Sequence, residues 1–547
     1  MRERSCAMNR TLRIPLSGLV ALCCTCGQLS LTGGSSQQGN GMIVGQVVSV
    51  NGSCVAAALI RIRPINYVQT PGAATNGSGV FDAVTDSMGN FSVSGISSGE
   101  YTIEANDRAS SAVLATATVM EQSGTADVGT IGLKPYARIF GRVDAAPTEA
   151  LPQKYVQVQG LERCARVGND GTFAIVDLPE GSFDLRLVSA DSTTASSELF
   201  GVNATSDATA SVVIPSGWRY ARRLHLNTTA SGADVAGSVT NFPVLIRLAA
   251  DNFDFSQAAS DGADIRFTKS DNTILPHEIE RWDAVNTLAE IWVRMDTVRG
   301  GDSTQFLTLL WGNETAAYRS DGAAVFDTAT GFAGVWHLND IGSTIYDATG
   351  HAFNGINSGS NITTGIIGHS RKFANGNYIR IPGLLESPFN VTLSAWVLSD
   401  TSLARGQDIV SIGDAVLIRL DDILGMGTAG CYHNTALISD TSYVKVNSGQ
   451  YLAKTGWHYL AFSINAVTHA QTLYIDGIQS VISHDVNPIN YAGMGADTYL
   501  GIHGNGKTGF NFIGRIDEVR VNSTAVSPDW IKLSFMNQKA ADKLVKW

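Results

Sequence analysis

The sequence predicts an all-β protein: tandem small β-sandwiches, then a β-domain, then a large antiparallel sandwich at the C-terminus. Three observations carry this reading. Short apolar runs alternate at period two, as around Leu473–Tyr474–Ile475. They are cut by Asp-Gly, Asn-Gly and Gly-Asn pairs, the punctuation of hairpins. No long amphipathic helical pattern is visible. The 547 residues suffice for about three to five domains. The 56 glycines and the low charged fraction of 16% suit an extracellular type of β-protein. A net charge of −11 without a basic stripe argues against nucleic acid as a partner.

The N-terminus reads as an address. Arg2, Arg4, Arg10 and Arg13 precede an apolar run from Ile14 to Cys26, and a Gly/Ser/Gln stretch follows up to Gly41. A basic segment, a short apolar segment and a flexible spacer predict a secretory signal. The run is too short to span a bilayer. Translation from Met8 would leave a conventional short signal. The cluster Cys23, Cys24, Cys26 resembles a bacterial lipoprotein signal, which implies a lipidated cysteine, Cys23 first among them, and a membrane tether at the cell surface. Leu22 stands where that family has a small residue, so a plain cleaved signal is the alternative. Residues 1–40 are thus signal and linker. Cys54, Cys164 and Cys431 fall singly in three different domains, where buried small apolar residues are expected.

Residues 41–135 contain Ile43–Val48, an Asn51-Gly52 turn, Ala58–Arg63, Val84–Val93 and Gly99–Glu104. Residues 136–215 repeat the plan, with Phe173 and Phe183 at the spacing of Phe91 and Tyr101. Through Asp86-x-x-Gly-x-Phe91 and Gly99-x-Tyr-x-Ile103 the first unit resembles the carboxypeptidase regulatory-like family. That resemblance implies small, non-catalytic sandwiches. The loop over residues 64–83 reads as solvated.

Residues 216–328 carry Asp264-Ile-Arg-Phe267, Leu275-Pro-His-Glu-Ile-Glu280, Ile291-Trp-Val-Arg294 and Trp311-Gly-Asn313 in order. They resemble domain-of-unknown-function family 2341, to which no activity is attached. On a strand, Glu278 and Glu280 share one face and His277 the other. A solvated face is the expectation.

Residues 329–547 carry Val335-Trp-His-Leu338, Asp347-Ala-Thr-Gly350, Leu393-Ser-Ala-Trp-Val397, Leu473-Tyr-Ile-Asp-Gly477 and Gly514-Arg-Ile-Asp-Glu-Val-Arg520. These resemble the laminin-G-like, concanavalin A-like jelly-roll family. A closing helix is predicted with Ser527 as N-cap and Pro528 at its first position. Trp530, Leu533 and Met536 should fold back on the sandwich. Trp336, Trp396 and Trp457 sit in apolar strands and read as core.

The family contains lectin-like binders and glucan hydrolases. Hydrolysis needs two carboxylates across the scissile bond. This region has only Glu386, in a loop, and Glu518, in the general family strand. A non-catalytic binding protein is expected, with a purely structural stalk or a glycoside hydrolase as alternatives. The resemblance further implies one structural calcium ion, for which Asp347 and then Asp517 are the candidate ligands. The competing reading of Asp347 is an Asx turn. His337, His351, His369, His433, His458, His469, His484 and His503 show no metal-binding spacing. Loop residues Tyr432 and Tyr491, with Asn434 and Asn505, are the candidates for stacking and hydrogen-bonding a glycan.

Overall fold

The computed structural model describes residues 40–71, 79–120, 124–144, 151–189, 195–215, 217–423, 426–434, 443–484, 487–505 and 510–547. Cys23, Cys24 and Cys26 therefore lie outside the described residues. The protein is an all-β chain of packed sheets.

Two small sandwiches come first, and they share one topology. In each, the first strand is central to a three-stranded sheet and pairs in parallel with the last: Gly41–Val48 with Thr125–Gly132, and Ala137–Asp144 with Thr209–Pro215. Each has its own apolar core. The sandwiches are interlocked. Buried Arg63 pairs with Glu162, and Arg163 donates to buried Glu104 over 2.6 Å. The loop after Arg63 is not simply solvated, because Tyr67 O and Gln69 O accept hydrogen bonds from Gly160 N and the Gln157 side chain.

The middle domain pairs a five-stranded with a three-stranded sheet. The latter has the order Val239–Ala249, Leu288–Val298, His277–Asp283. Its central strand is apolar on both faces, and Ile291, Trp292 and Val293 are all fully buried. One face meets the five-stranded sheet and the other meets the C-terminal region, so alternation disappears from this strand.

The C-terminal sandwich has two eight-stranded antiparallel sheets. The inner sheet holds Phe332–Trp336, Gly514–Asn522, Val391–Ser399, His458–Asn465 and Ala470–Ile475 near its centre. The outer sheet holds Gln407–Ile412, Val416–Ile423, Met426–Tyr432 and Val444–Asn447. Trp336 belongs to the core between the sheets, whereas Trp396, Tyr459 and Tyr474 join the middle domain's core. The inner sheet is thus covered on both faces.

The closing helix Pro528–Gln538 starts as expected, with the Ser527 side chain accepting from Trp530 N. Its packing differs from expectation. Trp530, Ile531 and Leu533 enter the middle domain's core, and Trp530 meets Phe242 at 5.5 Å. Asn537 accepts from Leu245 N at 2.7 Å and donates to Leu245 O at 3.0 Å, imitating a strand partner. The chain then ends as a strand, Val545–Lys546, beside Tyr220–Leu226 of the middle domain. The last residues therefore complete the middle domain as well as the sandwich.

Cys431 is buried, as expected of a small apolar residue, but Cys54 is exposed and Cys164 half-buried. Cys54 lies beyond the strand Gly41–Val48, bridges back to Val48 and stays exposed, with its Sγ accepting from Gln46 Nε2 at 3.8 Å.

Candidate functional site

Where the inner sheet meets the middle domain, charged side chains collect in the apolar interface. A β-bulge makes this possible. The pairing of Val391–Ser399 with Gly514–Asn522 shifts register between Ser394 and Trp396, and Glu518 takes a left-handed φ of 49°. Such a bulge re-aims a side chain. Glu518 thereby reaches His337, whose Nδ1 lies 2.6 Å from Oε1. The opposite ring nitrogen, Nε2, lies 3.2 Å from Glu278 Oε2. Glu280 Oε2 lies 3.6 Å from Nδ1 and accepts from Trp292 Nε1 at 2.7 Å. Arg520 donates to Glu518 Oε2 at 2.8 Å, and its guanidinium lies 4.2 Å from the centre of the Trp292 ring. The side chains of Glu280 and Glu518 are wholly buried.

Glu278 and Glu280 thus share a face, as the strand geometry requires, but the face is buried against the sandwich. The solvated expectation fails because His337 and Glu518, distant in sequence, cover it. Burial alone would depress the His337 imidazole; the carboxylates of Glu518, Glu278 and Glu280 outweigh it and raise its pKa. Burial and the Glu518 charge push Glu280 up to about 8. Burial also raises Asp517, with the Glu518 charge adding to it.

A second polar network lies on the outer sheet. Val416, Ile418 and Leu420 face the core, so the intervening Arg419 projects outward. It bonds Asp408 at 2.6 Å. His503 bridges Asp408 at 2.7 Å and Asp414 at 3.0 Å. Tyr443 donates to Asp414, and its ring stands 4.3 Å from that of His433. Asn505 reaches Asp414 at 3.4 Å. Asp414 and Tyr443 are the members of this group, with Asn505, that reach solvent in part.

This network carries a pH signature. Burial would depress His503, but the hydrogen bonds it donates to Asp408 and Asp414 raise it to about 9. A folded value above the unfolded one of about 6.5 contributes stability fully present below pH ~6.5 and lost as pH rises through about 9. The gap corresponds to about 3 kcal/mol. His503→Gln should therefore destabilise most at pH 6, and the deficit should shrink by about that amount at pH 10. Equal urea midpoints lost at both pH values would refute this.

The candidate ligand residues separate. Tyr432 is fully buried, because it is one of the inward-facing residues of its strand and fills the core. Its ring cannot stack on a sugar. Tyr491 is packed on the same core and donates to Pro388 O at 2.9 Å. Asn434 is buried and bridges to Ile489. Asn505 joins the outer network through Asp414.

The two proposed calcium ligands do not converge on a shared set of partners. Asp347 Oδ1 accepts from Val335 N and Thr349 N, and Oδ2 from the Thr349 hydroxyl and Phe353 N. Four donors saturate the carboxylate, which is the Asx-turn arrangement and leaves no face for a cation. Asp517 Oδ2 accepts from Ile366 N and Ile367 N, while Oδ1 is buried and unpartnered.

Among the described residues, Glu280, His337 and Glu518 are a group whose ligand atoms lie within 4.8 Å of one another. Sequence spacing could not reveal it, since each residue comes from a different strand or strand end.

Residues 373–532 match the concanavalin A-like lectin/glucanases superfamily. Residues 261–339 match a domain of unknown function, DUF2341. The second match runs on to Asn339 and so includes His337, where the sequence motifs alone suggested an end at residue 328. No curated protein matches the chain. Among solved structures, domain 4 of AbnA, an extracellular GH43 arabinanase from Geobacillus stearothermophilus, is 20% identical. It covers 37% of this chain and 97% of its own, at a TM-score of 0.31. The binding domain of Paraclostridial Mosquitocidal Protein 1 is 16% identical over 38% of this chain, at a TM-score of 0.31; the match spans 52% of that domain. The CBM40 of a Ruminococcus gnavus sialidase is 12% identical over 30% of this chain and 94% of its own, at a TM-score of 0.23.

Proposed function

We propose that the chain is a non-catalytic binding protein displayed at a bacterial cell surface, whose C-terminal sandwich takes a glycan on its outer sheet. One observation carries this reading. The inner sheet is spent on the middle domain, so the outward side of the outer sheet is left, and there Asp, Arg, His, Tyr and Asn side chains converge around Asp414. Planar polar groups beside an aromatic ring suit sugar hydroxyls and ring faces. The lectin/glucanase match supports the same class of ligand. Against catalysis stands the engagement of the buried carboxylates: Asp408 is held by Arg419 and His503, and Glu518 by His337 and Arg520. A lipid on Cys23, or on Cys24 or Cys26, would tether the chain, and the interlocked small sandwiches would hold the binding domain away from the membrane.

The test is a glycan array probed with the full chain and with Tyr443→Ala. The expected result is retention of a defined glycan class by the wild type and its loss in the variant. Retention of no glycan, or equal retention by both, would overturn the reading. Mass spectrometry of the mature N-terminus addresses the tether: an unmodified terminus beyond Cys26 rules it out.

A further inference from the structure

We propose that Glu280, His337 and Glu518 bind one zinc-class divalent cation that clamps the middle domain to the C-terminal sandwich. The argument begins with a count of donors. An imidazole carries at most two N–H groups. Three glutamates surround that of His337. Nδ1 meets Glu518 Oε1 at 2.6 Å and Nε2 meets Glu278 Oε2 at 3.2 Å, so both donors are taken. Glu280 is the surplus carboxylate. Its side chain is wholly buried, its Oε2 lies 3.6 Å from Nδ1, and its Oε1 has no hydrogen-bond partner. A buried carboxylate oxygen without a partner is costly, and such a group calls for an explanation.

A cation on the Nδ1 side supplies one. Nδ1, Glu518 Oε1 and the Glu280 carboxylate, through Oε2 and the otherwise unpartnered Oε1, would be its ligands. Tetrahedral zinc with bonds of about 2.0–2.1 Å separates its ligand atoms by about 3.3 Å. The separations of 2.6 and 3.6 Å from Nδ1 bracket that value, so shifts of well under 1 Å complete the set. The surroundings fit as well. Nε2–H donating to Glu278 is the carboxylate–histidine arrangement that fixes the tautomer and orients a metal-bound imidazole. Trp292 Nε1 steadies Glu280, and Arg520 steadies Glu518. One nitrogen and two carboxylates suit zinc better than calcium, which wants six to eight oxygens. Gly322 leaves room for Glu278, because a Cβ there would stand 2.7 Å from Oε1.

The clamp joins elements that are remote in the chain. Glu280 comes from the strand His277–Asp283 of the middle domain, and Glu518 from Gly514–Asn522 of the inner sheet. His337 follows Phe332–Trp336, the strand that links the two domains.

The test uses the full chain, stripped with a chelator in urea and refolded with or without zinc chloride. Bound zinc is then counted after gel filtration. One zinc per chain is expected, with a raised unfolding midpoint relative to the zinc-free sample. Glu280→Gln keeps the shape and the Trp292 contact, and should fold yet lose the ion; His337→Gln should lose it too. No stoichiometric zinc in the wild type would overturn the proposal. So would equal zinc in wild type and Glu280→Gln, since the ion would then sit elsewhere. Should His337→Gln fail to fold, Glu280→Gln decides alone.

Discussion

Arg520→Ala should destabilise the middle domain and the sandwich together by about 3–5 kcal/mol, the cost of breaking a buried ion pair from one side. The guanidinium is 1% exposed and bonds Glu518, which is wholly buried. It also covers Trp292 at 4.2 Å and Phe326 at 5.0 Å. Its removal would strip Glu518 of one of its two charged partners and open a void beside Trp292. Urea unfolding followed by tryptophan fluorescence gives the measurement. The double variant Arg520→Met with Glu518→Gln should recover part of the loss, because the amide still reaches His337 and no carboxylate is left without its guanidinium. A loss below about 1 kcal/mol for Arg520→Ala would show that the pair is compensated by solvent.

Trp396→Ala should cost a similar ~3–5 kcal/mol, with a different signature. Trp396 projects from the inner sheet away from the sandwich core. It stacks on Phe535 at 5.7 Å and donates from Nε1 to Gln538 Oε1 at 2.8 Å. Its loss should free the helix Pro528–Gln538 before the sandwich itself opens. Amide exchange should accelerate in that helix, and less so in Val416–Ile423. Trp336→Ala, in the core between the sheets, should instead weaken both. Unchanged protection of the helix in Trp396→Ala would contradict this division.

The two tryptophans also show what could be read from the chain. Both lie in apolar strands and both are buried, as expected. Period and turn residues report that a strand has a buried face, but not which body buries it. Ser527 and Pro528 marked the helix start because capping is local chemistry. The face on which Trp530 would pack depends on the middle domain, and no local pattern encodes that. Glu518 was masked for a sharper reason. Strict alternation assigns Asp517 and Glu518 to opposite faces, but a bulge with a left-handed residue breaks the alternation at that position. Glu278 and Glu280 look solvated because charge usually is. Only the pairing with His337, 59 residues beyond Glu278, makes their burial tolerable. Tyr432, expected in a loop, is the last residue of the strand Met426–Tyr432, and its inward side is set by the sandwich core rather than by local sequence.

The pairing of Val545–Lys546 with Tyr220–Leu226 has a consequence for biogenesis. Domains normally fold in order as they emerge from the ribosome. Here a sheet begun near residue 220 receives an edge strand from Val545–Lys546, more than 300 residues further along the chain. Until then Tyr220–Leu226 presents an unpaired edge, a template for wrong partners. The middle domain must therefore wait, open, while more than 200 further residues are made.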